Sequence, residues 1–217
     1  MEEFDIGYPH SKAKRTVKDG YRTIKNRIKA FELGKDYYDG DRENGYGGFK
    51  YDGRWAKIIP TIIKRYNLTN KSAVLDLGCK KGFFMHDLKE ALPGIKVRGI
   101  ECSQYPIDNA MESVKDDVIL SGYEKLPFED NEFDFVFSNS FDHSIYPAKF
   151  ISEMERVLKP GGYGLLHLQL TKKVDDYAEN IITSEDPVIS LLTDSKVCKN
   201  KNIKGSCYIK ELVFEKD

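Results

Sequence analysis

A turn rich in glycine and charge, residues 76–83 (DLGCKKGF), has the residue types to hold a charged ligand. Gly78 and Gly82 allow a sharp turn and a close approach of a ligand to the main chain, and the N–H groups of a following helix would face that ligand. A dinucleotide fingerprint (GxGxxG) is excluded because Lys80 and Phe83 occupy its second and third glycine positions, and a phosphate loop (GxxxxGK) is excluded by Phe83. Asp76, two positions before Gly78, suits instead a ligand with a cationic centre and an amino group.

A second acidic residue, Glu101, ends the apolar run at residues 95–101 and follows Asp76 by 25 positions. In dinucleotide folds an acid at the tip of the second strand accepts hydrogen bonds from the ribose. The alternative interpretation is a solvated glutamate that favours the dipole of the next helix. Together with the glycine turn, Glu101 predicts a nucleoside ligand without a pyrophosphate.

Candidate catalytic side chains follow the apolar run at residues 133–138. His143 is the first candidate for a general base, because an imidazole can remove a proton near neutral pH, and Asp142 is the weaker alternative. The other interpretation of His143 is a loop histidine that fixes the backbone. Asn139 precedes both residues and either contacts a ligand or supports the loop.

These residues need a fold that places strand tips side by side, and the chain alternates strand with helix from residue 73 onward. The predicted strands cover 73–77, 95–101, 118–120, 133–138, 163–170, 196–199 and 206–214, and the predicted helices cover 82–91, 104–115, 147–158 and 188–192. This alternation predicts an α/β fold with a doubly wound, mostly parallel, seven-stranded Rossmann-like sheet, which ends in a hairpin with an antiparallel C-terminal edge strand. Ligands bind such sheets at the carboxyl ends of the strands, where strand order reverses.

Residues 1–53 predict an N-terminal helical cap with a lid segment, and residues 54–217 predict the ligand-binding domain. A helix is predicted over 11–34, because apolar residues recur there on one face at steps of three and four, with Lys and Arg on the other. Those apolar residues are Val17, Tyr21, Ile24, Ile28 and Phe31. The stretch 36–55 predicts no regular element, and a helix bent by Pro60 is predicted over 54–66.

Aromatic and basic side chains in the lid segment are candidates for ligand contact. Tyr46 and Tyr51 could flank a cationic centre through their rings or hydroxyls. Arg54 could pair with a carboxylate. The alternative interpretation is a cap that only packs on the sheet.

The composition describes one medium-sized domain of 217 residues with a substantial core, since 40% of the residues are hydrophobic. A net charge of −1 gives no support to a nucleic-acid partner. No run approaches the ~18 apolar residues of a membrane span, and the N-terminus lacks an apolar signal region. We therefore predict no membrane partner and a cytoplasmic location. Four widely spaced cysteines predict reduced thiols and no metal site.

Four motifs resemble, in order and spacing, the class I S-adenosylmethionine-dependent methyltransferases of the type 11 group. They are AVLDLGCKKGFF, GIE, LPFEDNEFDFVFSN and ERVLKPGGYGLLHL, which together cover about residues 71–171. The resemblance implies that the loop with Asp76 and Gly78 lies along the methionine part of S-adenosylmethionine and that Glu101 binds the ribose. The loop at residues 121–126 would border the adenine.

The sequence departs from the family pattern at two positions. Gly122 replaces an aspartate that is often found there, so adenine recognition rests on backbone groups near Tyr123. Lys80 replaces the middle glycine of the usual GxGxG loop, which changes the loop without removing its ends. The predicted cofactor-binding residues are Asp76, Gly78, Cys79, Gly82, Phe83, Glu101, Cys102, Gly122, Tyr123, Glu124, Asn139, Tyr46 and Arg54.

The resemblance implies methyl transfer to a polar small-molecule acceptor, with S-adenosylhomocysteine as the product. Residues 45–55 (GYGGFKYDGRW) resemble a segment in a subset of these enzymes that accompanies sugar and polysaccharide pathways. The predicted acceptor is therefore a sugar, a sugar nucleotide or a phosphate-bearing metabolite. The alternative is a catalytically silent protein that binds the cofactor to hold a partner or to sense the cofactor. An RNA or protein methyltransferase is less favoured, because the sequence has no appended nucleic-acid module and no basic tail.

Overall fold

The computed structural model describes residues 22–170, 180–202 and 209–217. Residues 11–21 of the predicted N-terminal helix and residues 206–208 of the predicted last strand lie outside the described residues.

Seven strands form one sheet. They are β1 (Ala73–Leu77), β2 (Lys96–Glu101), β3 (Val118–Leu120), β4 (Phe133–Ser138), β5 (Leu158–Gln169), β6 (Ser195–Asn202) and β7 (Ile209–Lys216). Their order is β3-β2-β1-β4-β5-β7-β6. The first five strands run parallel, whereas β7 pairs antiparallel with both β5 and β6. The predicted doubly wound α/β fold with an antiparallel C-terminal hairpin at one edge is confirmed.

Seven short helices cover the sheet and its N-terminal side. They are α1 (Ile24–Phe31), α2 (Lys35–Tyr38), α3 (Ile59–Arg65), α4 (Phe83–Ala91), α5 (Gln104–Asp108), α6 (Pro147–Val157) and α7 (Asp186–Ile189), with 3-10 turns at Trp55–Lys57, Glu112–Asp117 and Phe141–His143. The seven strands and the seven helices are those found in residues 22–170, 180–202 and 209–217.

Several predicted element boundaries are wrong. The helix predicted over 104–115 ends at Asp108, because the Met111 N–H donates to the Lys81 carbonyl at 3.0 Å and Met111 is extended. The stretch 36–55 is not wholly irregular, since α2 reaches into it. Pro60 divides the helix predicted over 54–66 and lies in the first turn of α3, where a missing N–H costs nothing.

Two C-terminal elements are also displaced from their predicted positions. β5 begins at Leu158 rather than at 163, because its pairing with β4 continues through a bulge opposite Phe133. The helix predicted over 188–192 is the shorter α7, which begins at Asp186.

The position of β1 between β2 and β4 creates the crevice of the fold. The chain moves outward from β1 to β3 and then returns to β4 on the other side of β1, so strand order reverses there. Side chains alternate along β1. Val74 and Asp76 face the layer of α3 and α4, while Leu75 and Leu77 are buried against α6. The alternation thus aims the Asp76 carboxyl toward the α3–α4 layer at the tip of the strand.

The helix predicted over 11–34 is wrong in its bounds, because Thr23 is the N-cap of α1 and the helix ends at Phe31. Helix α1 has the predicted apolar spacing, but the stripe faces away from the protein. Ile24, Ile28 and Phe31 are all exposed, and only Ala30 of this helix is buried. The residues that follow pack closely on the domain. Tyr37 and Tyr38 form a small aromatic cluster with Tyr105 of α5 at its margin.

Candidate functional site

The turn after β1 requires glycine at Gly78. Its φ is +80°, and a Cβ there would lie 2.5 Å from Ser140 Oγ, so no larger residue fits without a shift. The Gly78 N–H donates to the Ile100 carbonyl at 2.8 Å, which ties the turn to the tip of β2. Lys80, two residues later, adopts the same left-handed region with φ +55° although it is not glycine. A strained residue at this position marks a functional candidate.

Glu101, at the tip of β2, is held by the glycine turn. Its side chain is buried, the Lys80 N–H donates to Oε2 at 3.0 Å, and the Ser103 N–H donates to Oε1 at 3.0 Å. The Tyr38 hydroxyl lies 3.5 Å from Oε1. Burial, and then the charge of Glu101, raise the pKa of Tyr38, so this phenol stays protonated and can donate. Glu101 therefore presents a fixed carboxylate that already faces one hydroxyl group.

The Lys80 side chain crosses the crevice toward the tip of β4. Its Nζ lies 3.1 Å from Ser140 Oγ and 3.5 Å from Asn139 Oδ1, and 5.7 Å from the centroid of the Tyr46 ring. Burial raises the pKa of Asp76 to about 7; the charge of Lys80 opposes this rise and that of Glu101 adds to it. An ammonium group is thus surrounded by an amide oxygen, a hydroxyl, an aromatic face and a nearby buried carboxyl.

An ion pair joins the N-terminal cap to the same turn. Lys81 Nζ lies 2.7 Å from Asp39 Oδ2 and donates to the Phe49 carbonyl at 3.0 Å. The Tyr105 hydroxyl also donates to Asp39 at 2.8 Å. Burial alone would raise the pKa of Asp39, but the hydrogen bonds from Lys81 and Tyr105 outweigh it and lower this pKa. Because Asp39 follows Tyr38 and Lys81 follows Lys80, the pair positions both side chains that enter the crevice.

Two adjoining cavities lie in the crevice. The first, called the polar cavity, has a volume of about 260 Å³. The second, called the aromatic cavity, has a volume of about 180 Å³. Both are lined by Tyr37, Tyr46, Gly78, Lys80 and His143, so these residues separate one cavity from the other.

The cavities bring together most of the predicted site residues. The polar cavity is lined by Tyr46, Arg54, Asp76, Gly78, Cys79, Phe83, Asn139, Asp142 and His143. The aromatic cavity is lined by Tyr46, Gly78, Glu101, Cys102, Tyr123 and His143. Burial raises the pKa of Cys102 to about 12 and that of Tyr123 as well, so both side chains are neutral.

Three predicted residues line neither cavity. Gly82 caps α4 with φ +74°, and a Cβ there would lie 2.6 Å from Val114 Cγ2, which gives it a packing role. Gly122 and Glu124 lie next to each other beyond β3. Their contact with a ligand stays a prediction. Tyr51 also lies elsewhere, with its hydroxyl bonded to Asp87 and its ring against Phe83.

The candidate general bases lie side by side at the polar cavity. His143 Nε2 is 4.0 Å from Asp142 Oδ2, and both side chains are partly exposed. Arg54, in the same cavity, is bonded through Nε and Nη2 to both carboxylate oxygens of Asp52 at 2.8 Å.

Sequence reasoning did not assign Tyr38, Arg22 or Arg42 to the site, although both arginines line the polar cavity. For Tyr38, the only signal in the sequence was the Tyr37–Tyr38 pair in a glycine-rich stretch. The contact between Tyr38 and Glu101 joins residues 63 positions apart, so local patterns do not reveal it. Lys80 was visible only as a departure from a glycine pattern.

The described residues contain no group of three or more His, Cys, Asp or Glu side chains that could hold a metal ion. No helix among them is long and apolar enough to cross a membrane.

Residues 75–166 match the family model described as a methyltransferase domain. An uncharacterized methyltransferase of Schizosaccharomyces pombe is 33% identical over 123 residues, which cover 51% of this chain and 44% of that protein. A demethylmenaquinone methyltransferase of Thermotoga maritima is 29% identical over 149 residues, which cover 66% of this chain and 61% of that protein. The crystal structure of a SAM dependent methyltransferase from Aquifex aeolicus has a TM-score of 0.60 at 23% identity and covers 77% of this chain and 100% of that one. The chain thus spans less than two thirds of the length of either curated relative.

Proposed function

We propose that this protein, whose residues 75–166 match the model of a methyltransferase domain and whose fold is similar to that of a SAM dependent methyltransferase, transfers a methyl group from S-adenosylmethionine to a polar small-molecule acceptor. The observation that carries the proposal is the junction of Glu101 with the glycine turn, where a buried carboxylate and a turn with no space for a side chain meet at the reversal of strand order. When bound, S-adenosylmethionine supplies a methyl group activated by positive sulfur.

The nucleoside part of the cofactor fits the aromatic cavity. Glu101 would accept hydrogen bonds from the ribose, and the Tyr38 hydroxyl beside Oε1 is a donor of the same chemical type. Tyr123 and Cys102, both neutral, would border the base. Binding therefore requires Tyr38 to share Glu101 or to move aside.

The methionine part fits the end of the crevice where Lys80 Nζ now lies. Asp76, Asn139 and Ser140 offer acceptors to an ammonium group, and the Tyr46 ring offers a face to a cation. Arg54 would pair with the carboxylate. The ammonium and sulfonium groups of the cofactor would thus be held by the loop at Asn139 and Ser140, by Asp76 at the tip of β1 and by Tyr46 of the lid.

The polar cavity favours an anionic or hydroxyl-rich acceptor. Among the described residues, Arg22, Arg42 and Lys80 line it, against the carboxyls of Asp76 and Asp142, while Arg54 is paired with Asp52. A sugar, a sugar nucleotide or a phosphate-bearing metabolite matches this surplus of positive charge. His143 would take the proton of an acceptor hydroxyl, and Asp142, whose Oδ2 lies 4.0 Å from His143 Nε2, is the alternative base.

The rest of the proposal concerns the chain as a whole. Residues 1–53 would act as a lid over a binding domain at residues 54–217. The thiols of Cys79, Cys102 and Cys198 are free, which fits a cytoplasmic location.

A catalytically silent cofactor-binding protein is the second candidate. One observation favours it: Tyr38 and Lys80 enter the crevice at both ends, so the chain itself contacts the groups that would hold the cofactor.

Isothermal titration with S-adenosylmethionine, followed by a transfer screen with radiolabelled methyl donor against polar metabolites, tests the proposal. We expect binding, and Glu101→Ala should weaken it about tenfold or more, because hydrogen bonds to a charged group are lost. Glu112→Ala, at an exposed glutamate of the 3-10 turn Glu112–Asp117 and outside both cavities, is the matched control. Binding without transfer to any acceptor would favour the silent protein, and no binding would refute both candidates.

A further inference from the structure

Helix α1 packs on the protein with its polar side. Asn26 Nδ2 donates to Asn44 Oδ1 at 2.9 Å, Lys29 Nζ lies 2.7 Å from Asp36 Oδ2, and only Ala30 is buried. The apolar residues lie on the opposite side. Ile24, Ile28 and Phe31 are 78%, 60% and 79% exposed. Their spacing of four and three residues makes them one continuous stripe, called the α1 stripe below.

Basic side chains border the α1 stripe. Lys25 and Arg27 are exposed on its two sides, and the helix contains no acidic residue. An apolar stripe between basic residues is the pattern of helices that lie in the interface of an anionic bilayer. Thr23 is the N-cap of α1, so the α1 stripe begins at Ile24.

The α1 stripe reaches the mouth of the aromatic cavity. Phe31 lines this cavity together with His143. Ile145 and Tyr146, two and three residues after His143, are also exposed, and Lys149 Nζ lies 5.7 Å from the centroid of the Tyr146 ring. Apolar and basic groups are thus combined on a second segment near the same cavity.

We propose that the α1 stripe docks the protein on an anionic lipid bilayer, with the apolar side chains in the acyl–headgroup boundary and Lys25 and Arg27 at the headgroups. Charge complementarity selects this partner, because the acidic headgroups meet Lys25 and Arg27 while the stripe leaves water. The sequence predicted no membrane partner from the lack of a spanning segment, but surface docking needs none. The inference does not depend on methyl transfer.

Co-sedimentation of the full chain with vesicles tests this inference. We expect binding to vesicles of phosphatidylcholine mixed with phosphatidylglycerol, weaker binding at high salt, and little binding to phosphatidylcholine alone. Phe31→Glu and Ile28→Glu should each reduce the partition coefficient about tenfold, and Lys25→Glu should reduce it on anionic vesicles. Val197→Glu, at an exposed apolar residue on the edge strand β6, is the matched control and should bind as the wild type does.

Two results would overturn the inference. The first is that wild type, Phe31→Glu and Ile28→Glu sediment to the same extent with anionic vesicles, or that none of the three sediments with them. The second is a dimer in sedimentation velocity that Phe31→Glu dissociates, together with no vesicle binding, since a second copy would then cover the stripe. Circular dichroism and thermal unfolding of each variant exclude misfolding, which exposed substitutions should not cause.

Discussion

Asp76 should make the stability of this protein depend on pH in an unusual direction. The residue is buried at the tip of β1, and burial raises its pKa from 3.8 to about 7, against the opposing charge of Lys80. Folding therefore increases the affinity of this carboxyl for its proton. Asp76→Asn keeps the shape of the side chain and removes the titration.

The magnitude follows from the two pKa values. The folded state binds more protons than the unfolded state between pH 3.8 and about pH 7, so the free energy of unfolding falls as pH rises through this range. At about 1.4 kcal/mol per pH unit, the ionised carboxyl costs about 4 kcal/mol of stability above pH 7. Below pH 3.8 the carboxyl is protonated in both states and costs nothing.

Urea unfolding of the wild type and of Asp76→Asn from pH 4 to pH 8 measures this effect. The stability of Asp76→Asn relative to the wild type should increase with pH and level off above pH 7. Lys80→Met removes the opposing charge and should move the midpoint of this increase to higher pH. A difference between Asp76→Asn and wild type that stays constant across the range would refute the reasoning, since the carboxyl would then have the same pKa in both states.

Three further experiments test the site. His143→Ala should lower kcat about 10²–10⁴-fold with unchanged affinity for S-adenosylmethionine, and full activity would reject His143 as the base. Lys81→Met and Asp39→Asn, combined in a double-mutant cycle of urea unfolding, should show a coupling of about 2 kcal/mol, whereas additive effects would show that the pair does not connect the cap to the turn. Lys80→Gly should be about 1 kcal/mol more stable than Lys80→Ala, because both lose the side chain but only glycine tolerates the φ of +55°; equal stability would mean that the turn relaxes.

Most of the fold could be predicted from the sequence because its signals are local. Buried runs such as residues 73–77 and 133–138 predict strands, and Gly78 after the first run marks its turn. The errors arose where distant contacts override local preference. The helix predicted over 104–115 is interrupted because Met111 bonds to Lys81, a residue that local periodicity does not include.

The candidate site was predictable to the same extent. Asp76, Glu101 and Asn139 follow directly from strand tips, and the topology brings strand tips together whatever their side chains are. Tyr38 could not be placed, because its position against Glu101 depends on how the cap folds back over 63 residues of sequence. The direction of Lys80 was also hidden, since a left-handed backbone at a lysine has no signal in the residue type.

The sequence by itself determined which residues share a face and which lie at a strand tip, because both properties follow from the repeat of a helix or a strand. Only the tertiary structure decided which face meets the protein. Ile24, Ile28 and Phe31 form one stripe by periodicity alone, yet the helix packs through Ala30 and its polar neighbours, so the stripe faces outward. Periodicity is a property of one element, whereas the choice of its buried side depends on the contacts that the neighbouring elements offer.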